Sequence, residues 1–297
     1  MGKSREECIP VSKLWQHLTA QEFADVDLAH FREPGQPNAR LAVWNPYEHS
    51  TRYFKFLLFT HMQMKRDTFW QRYAKLGNTL VGNPPTVNGI TLDHFLAIEE
   101  YEFVARAIQH VDCLETVHSI LEIGAGFGRT AQAWMTCSPA LHRYVILDLP
   151  AMLTISQRYL RLVLPDALFH KIEFLDATTL PAVSVDLVMN IDSFQEIPPA
   201  TVLTYLTHYV APAQYFYSKN TVGKYLPQCV GLEHPVTHDV FELGLSRTVI
   251  DIFNPDELEQ ARRQHVQDYQ PAGFRLVATE PLGLFPYYQH ILYEKIT

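Results

Sequence analysis

Ser119-Ile-Leu-Glu-Ile-Gly-Ala-Gly-Phe-Gly-Arg129 decides the fold. An apolar run of strand character reaches Glu122, passes through glycines at 124, 126 and 128, and enters the helix formers Thr130-Ala-Gln-Ala-Trp-Met135. Glycine permits positive φ and lets a ligand approach the backbone without a Cβ in the way. Three in alternation at a strand-to-helix switch describe a ligand loop in an open α/β sheet, which binds at the carboxyl ends of its strands. The competing reading is a tight turn that only packs helix on strand.

The dinucleotide fingerprint Gly-x-Gly-x-x-Gly would need its third glycine where Arg129 stands, and it seats a pyrophosphate on the helix N-terminus. The spacing here is Gly-x-Gly-x-Gly behind a carboxylate. It resembles motif I of class I S-adenosylmethionine (SAM) methyltransferases, whose ligand has no phosphate and carries a sulfonium and an ammonium. Arg129 places a dehydrogenase last among the readings.

The segments that follow extend the alternation. Tyr144-Val-Ile-Leu147 reads as a buried parallel strand ending on Asp148, where a carboxylate can accept ribose hydroxyls or cap the helix that Pro150 opens. Lys171-Ile-Glu-Phe174 ends near Asp176, which reads equally as an adenine contact or a turn residue. Val185–Asn190 and Gln214–Tyr217 are the fourth and fifth strands, and Gly273–Val277 and Gln289–Glu294 close the sheet at seven. An irregular insertion is expected over 219–253. Asn254-Pro-Asp-Glu257 has the form of a helix start with a capping box. The fold class is therefore α/β, a seven-stranded Rossmann-like SAM methyltransferase sheet over 118–297, preceded by an N-terminal helical region over 1–117.

That region predicts one long helix from Glu48 to Leu76 with an aromatic face, read as core, and a second from Thr91 to His110 with Phe95, Ile98 and Phe103 inward. Between them, Gly77–Gly89 has the glycine, proline and asparagine density of a shaped loop, expected to close over the ligand site. The first 117 residues are expected to serve acceptor capture more than fold.

Taken together, the chain resembles the bacterial family of sugar O-methyltransferases. The carrying phrases are Leu121–Arg129, Tyr144-Val-Ile-Leu-Asp-Leu-Pro150, Ser156-Gln-Arg-Tyr-Leu160, Asn190-Ile-Asp-Ser-Phe-Gln-Glu196 and Tyr287-Tyr-Gln-His-Ile-Leu-Tyr293. Ile197 follows the Gln-Glu pair where the family often has methionine. The resemblance implies SAM as cofactor, held by Glu122, Gly124, Ala125, Gly126, Asp148, Leu149, Asp176, Ala177 and Asn190. It also implies a sugar or glycosylated small metabolite as acceptor. A nitrogen or carbon acceptor, and a SAM-binding but inactive interaction subunit, are the alternatives.

A hydroxyl acceptor needs a base near the reacting methyl. Asp192 and Glu196, just past the fourth strand, are the candidate carboxylates, and Glu196 can equally support the helix at Pro198. Glu233, His234, His238 and Asp239 gather in the insertion, so His238 is a further catalytic candidate and a divalent metal such as Mg a weaker one. His94 and His290 read as structural. No residue is assigned as a metal ligand.

Composition agrees with a small-molecule enzyme. A chain of 297 residues with 47% hydrophobic content can bury a sizeable core. With 24 basic and 32 acidic residues the net charge is −8, which argues against a nucleic-acid surface. Met1-Gly-Lys-Ser-Arg-Glu-Glu7 lacks a signal peptide's apolar run, and Tyr53–Phe59 is too short to span a bilayer. Four scattered cysteines fit reduced thiols. The expectation is a cytoplasmic protein without membrane or nucleic-acid partners, compatible with a homodimer.

Overall fold

In chain order the elements are α1 (Lys13–Gln21), α2 (Thr51–Gln63), α3 (Asp67–Lys75), the hairpin β1 (Thr86–Val87) and β2 (Ile90–Thr91), and α4 (Leu92–Ala107). The alternation follows: β3 (Ser119–Ile123), α5 (Arg129–Cys137), β4 (Arg143–Asp148), α6 (Pro150–Val163), α7 (Asp166–Phe169), β5 (Ile172–Asp176) and β6 (Leu187–Ile191). It ends with α8 (Pro199–Tyr205), β7 (Tyr215–Thr221), α9 (Pro255–Asp268), β8 (Phe274–Pro281) and β9 (Tyr288–Lys295). This computed structural model describes residues 9–21, 23, 26–33, 51–77, 81–82, 84, 86–108, 116–226 and 238–296, without the side chains of 51–54, 238 and 239.

The seven strands stand in the order β5-β4-β3-β6-β7-β9-β8. The first five are parallel and β9 runs antiparallel to both its neighbours. This is the seven-stranded Rossmann-like sheet read from the sequence. Strands buried on both faces read as unbroken apolar runs. Leu121, Val145 and Val188 face one layer while Ile120, Ile146 and Met189 face the other. Because β4 and β6 flank β3 on opposite sides, the connections leaving β3 and β6 diverge and open a crevice at the carboxyl ends.

The boundary near 117 does not separate two cores. Phe95, Ile98 and Phe103 of α4 share one cluster with Ile120, Trp134 and Ile146. Thr91 caps α4 by accepting from the His94 N–H at 3.3 Å. The helix is buried almost all round and packs on α5 and β9, which is why its sequence shows no clean amphipathic stripe. From its centre Glu100, fully buried, accepts two hydrogen bonds from Arg129, each 2.9 Å, and one from Lys219 at 2.7 Å. Both cations also reach Asp192, Lys219 at 3.1 Å and Arg129 at 3.5 Å. Burial pushes the Glu100 carboxyl up, but Arg129 and Lys219 outweigh it and hold it below the usual range.

Several expectations change. Residues 48–50 lie outside the described residues, and the rest of the helix expected over Glu48–Leu76 is two helices, because the chain turns between α2 and α3. Arg66 is extended there, with φ −75° and ψ 163°. Glu99 of α4 holds the corner: it accepts from His61 at 2.8 Å and pairs with Lys65. The turn seats Leu58 and Phe69 in the same core. The buried face of α2 is Leu58, His61 and Met62, leaving Phe56 64% and Phe59 43% exposed, against their reading as core. At the start of α9 Asn254 caps as expected, accepting from Asp256 at 3.1 Å, whereas Glu257 bonds the N–H of Asp251 and so does not close a capping box. The described part of Gly77–Gly89 ends in a hairpin turned by Asn88 and Gly89, both with positive φ, and Gly82 packs against Phe31.

Removing the charge on Glu100 leaves two buried cations short of a partner. Glu100→Gln should lower unfolding stability by about 3–5 kcal/mol in urea titrations. A loss under about 1 kcal/mol would show that the cluster contributes nothing to the fold.

Candidate functional site

A cavity of about 300 Å³ fills the crevice at the carboxyl ends of β3, β4 and β6. The glycine loop forms its floor. Gly124 has φ 74° and its N–H donates to Leu147 O at 2.9 Å, docking the loop on β4. A side chain at Gly124 would strike Ser193. Gly126, with φ 60°, has no atom within 4 Å of where a Cβ would stand, so its open side belongs to the cavity. Between the glycines Phe127 turns the other way, edge-on to Phe31 and Tyr159 with centroids 5.4 and 4.8 Å away. That ring anchors the loop from below.

Two carboxyls stand beside this floor. Glu122 accepts from the Tyr144 hydroxyl at 2.7 Å, and burial pushes its carboxyl up to about 7. Asp148 accepts from the N–H groups of Gly126 at 2.9 Å and Leu149 at 2.7 Å. Burial outweighs those bonds and raises it to about 7 as well. Asp148 does not cap α6, whose N-cap position is Leu149. Glu122, Gly124, Ala125, Gly126, Asp148, Leu149 and Ala177 all lie on the cavity wall.

Two residues assigned to the cofactor do not. Asp176 folds its carboxylate back onto Thr178, accepting from that residue's N–H at 2.8 Å and hydroxyl at 2.7 Å, which leaves Ala177 and Thr178 on the wall. Asn190 is wholly buried and committed to Ile123 O, Ser193, the Phe194 N–H and Asn220. It braces the turn after β6, and its neighbour Ile191 faces the cavity.

Beyond β6 the wall continues with Asp192, Gln195 and Glu196, joined by Tyr288 from β9. Asp192 takes φ 61°, a left-handed conformation costly for a non-glycine residue. Its N–H bonds Lys219 O at 2.8 Å while the Lys219 ammonium meets its carboxylate, so one residue fixes both ends of the strained unit. Burial outweighs the two cations and raises the Asp192 carboxyl above its usual range. Gln195 is pinned by the Thr221 N–H at 2.8 Å and by the Tyr288 hydroxyl at 3.2 Å. Lys224 donates to the Gln195 carbonyl at 2.8 Å, and burial lowers its ammonium to about 8.

The opposite wall comes from the N-terminus, which sequence reasoning did not single out. Ile9 to Ser12 and Trp15 cover the cavity, and the Trp15 indole N–H donates to Glu196 at 3.0 Å. No described residue of the Gly77–Gly89 loop reaches the cavity wall, and the described cover is the 9–15 segment. Glu233 and His234 lie outside the described residues, as does the side chain of His238. Among the described residues no three His, Cys, Asp or Glu side chains gather as metal ligands, and no helix is long and apolar enough to cross a membrane. His94 bonds Gln132 and Tyr159 and is lowered to about 4 by burial; His290 bonds Tyr217 and is lowered to about 3 by burial.

No protein-family profile matches the chain, and no curated protein does. Solved structures that resemble it include mitomycin 7-O-methyltransferase MmcR, at 15% identity and TM-score 0.44 over 68% of this chain and 54% of that one, so the match spans about half of its length. PigF with SAH matches at 15% identity and TM-score 0.43, over 80% of this chain and 73% of that one. The glycopeptide N-methyltransferase MtfA complexed with SAM matches at 13% identity and TM-score 0.42, over 68% and 87%. Likeness at this level carries no argument about chemistry, which rests on the cavity's own residues.

The two raised carboxyls make stability depend on pH. Folded pKa values near 7 against ordinary values near 4 mean that the folded state binds more protons between those limits. Their contribution to the stability of the free protein should therefore fall, on the order of 1–4 kcal/mol, as pH rises from about 5 to 8, against an opposite contribution below about pH 6.5 from His94 and His290, which burial holds neutral. Glu122→Gln and Asp148→Asn should each remove part of the falling contribution in denaturant titrations at stepped pH, and a wild-type pH dependence in both variants would remove the buried-carboxyl account.

Proposed function

We propose that this chain is a SAM-dependent methyltransferase acting on a hydroxyl of a small acceptor, a sugar or glycosylated metabolite. The observation that supports SAM most directly is the open face of Gly126 between Glu122 and Asp148. Both carboxyls are destabilised as anions by burial, so the cavity favours a ligand with positive charge and hydroxyls. A diphosphate would add negative charge to the same space. The nearest guanidinium, Arg129, is already committed to Glu100.

When bound, SAM supplies an electrophilic methyl group. The protein's part is to align the acceptor, exclude water and take a proton. Ile9, Trp15 and the β6 turn wall one side of the cavity. Glu196 and Asp192 are the carboxylates on the wall that can accept the hydroxyl proton. A negatively charged chain with a small cleft suits a small-molecule acceptor better than a nucleic acid. The sugar assignment rests on the sequence resemblance alone.

Calorimetry should detect S-adenosylhomocysteine (SAH) binding and no NAD binding, and Gly126→Val should abolish SAH binding without unfolding the protein. Tight NAD binding with no SAH binding would overturn the reading. Screening nucleotide sugars and glycosides with labelled SAM identifies the acceptor. With it in hand, Glu196→Gln or Asp192→Asn should retain SAH binding and lose about 10²–10⁴-fold in turnover at the residue that serves as base. Normal turnover in both variants, with EDTA abolishing activity and magnesium restoring it, would instead assign the proton step to a metal.

A further inference from the structure

The segment from Ile9 to Trp15 meets the body of the protein along the cavity wall, and Leu14 and Trp15 also pack against the main core. Ile9 is buried against the core layer that contains Leu147 and Ala177, and its N–H meets Thr178 O at 3.4 Å. The Thr201 hydroxyl donates to Pro10 O at 3.3 Å. Ser12 Oγ accepts from the Trp15 N–H at 3.3 Å, starting α1 as a polar residue before a helix does. The Trp15 indole N–H ties the segment to Glu196 Oε2, in the turn after β6, at 3.0 Å across 181 residues. Thr178 and Thr201 belong to the rim on either side, so the segment lies across the mouth of the cavity.

The cavity volume, about 300 Å³, is at the lower end of clefts that hold one small molecule, about 300–1,000 Å³. Under the methyltransferase reading, on which this inference rests, two reactants must meet there. One of the carboxylates able to take the proton is meanwhile occupied by the indole. The same hydrogen bond therefore closes the mouth and holds Glu196.

We propose that Ile9–Trp15 is a hinged cover over the site and that Trp15 is its latch, a positioning residue that fixes Glu196 while the cover is shut. Opening breaks the Trp15–Glu196 bond and widens the mouth. Closing re-seats the indole as a wall and excludes water from the reacting groups.

Hydrogen exchange on the free, full-length protein reads the latch without any ligand. Trp15→Phe keeps the ring and loses the N–H donor; Glu196→Leu removes the acceptor from the other side. In both variants the α1 amides should exchange roughly ten- to a hundredfold faster, as expected for losing one hydrogen bond to a charged group, with β3 unchanged. SAH dissociation by stopped flow should quicken by a similar factor, and the double variant should be less than additive, because both changes delete the same Trp15–Glu196 bond. Glu196→Gln, which keeps an oxygen acceptor, should fall between wild type and Glu196→Leu. Unchanged α1 exchange in both single variants overturns the latch. Faster exchange with unaltered SAH release overturns the gating role. Failure of SAH to bind the wild type, with α1 exchange still responding to both variants, supports the cover and counts against the SAM reading.

Discussion

Three buried charges and a half-buried fourth hold this protein's site together. Glu100 lies on a helix outside the sheet alternation, Arg129 opens the helix after the glycine loop, Lys219 is in the middle of the sheet, and Asp192 begins the turn after β6. Taking such groups out of water costs several kcal/mol each, and apolar replacements of similar volume are often as stable. Stability alone is thus a weak reason for the cluster. Geometry is a better one: Arg129 fixes the exit of the loop that presents Gly126, and Lys219 holds both the backbone and the carboxylate of Asp192 in a left-handed conformation. Glu100 supplies the anion that lets both cations stay. The N-terminal region therefore reaches the site twice, through Glu100 beneath the floor and through Trp15 above it.

The strands were legible because parallel strands covered on both faces must be apolar throughout, and glycine, proline and carboxylates mark their ends. Each of the seven expected strands is present, with shifts of one to four residues at the ends. The helices before residue 117 were harder for a definite reason. A helix buried all round, as α4 is, has no polar face to give the 3.6-residue period a phase. The corner between α2 and α3 depends on Glu99 gripping Lys65 and His61, a tertiary contact that no local pattern encodes. The exposed Phe56 and Phe59 show that aromatic density along a helix does not say which side is inward.

Within the site, the glycine loop with Glu122 and Asp148 was readable because backbone freedom and a strand-end carboxylate are local properties. Asp176 and Asn190 were placed near the ligand by position, yet the side chains satisfy neighbouring backbone and side-chain groups instead, and Ala177, Thr178 and Ile191 face the cavity beside them. Position at a strand end selects a pair of candidates, and the alternation of side chains decides between them. Trp15 could not be found this way, since its partner Glu196 is 181 residues distant.

The electrostatics of the floor connect these observations. Glu122 and Asp148 are dry carboxyls without a cationic side chain bonded to either, so each pays a desolvation cost that burial makes visible as a pKa near 7. The neighbouring ion cluster relieves Glu122 only in part, since Arg129 draws its carboxyl down while Glu100 pushes it up, and burial outweighs both. A site organised to neutralise its own cations internally, while leaving two carboxyls on the wall, has its greatest affinity for a ligand that brings positive charge with it. Such a ligand would stabilise the ionised carboxyls and offset a cost already present in the folded chain, coupling occupancy of the cavity to stability of the fold.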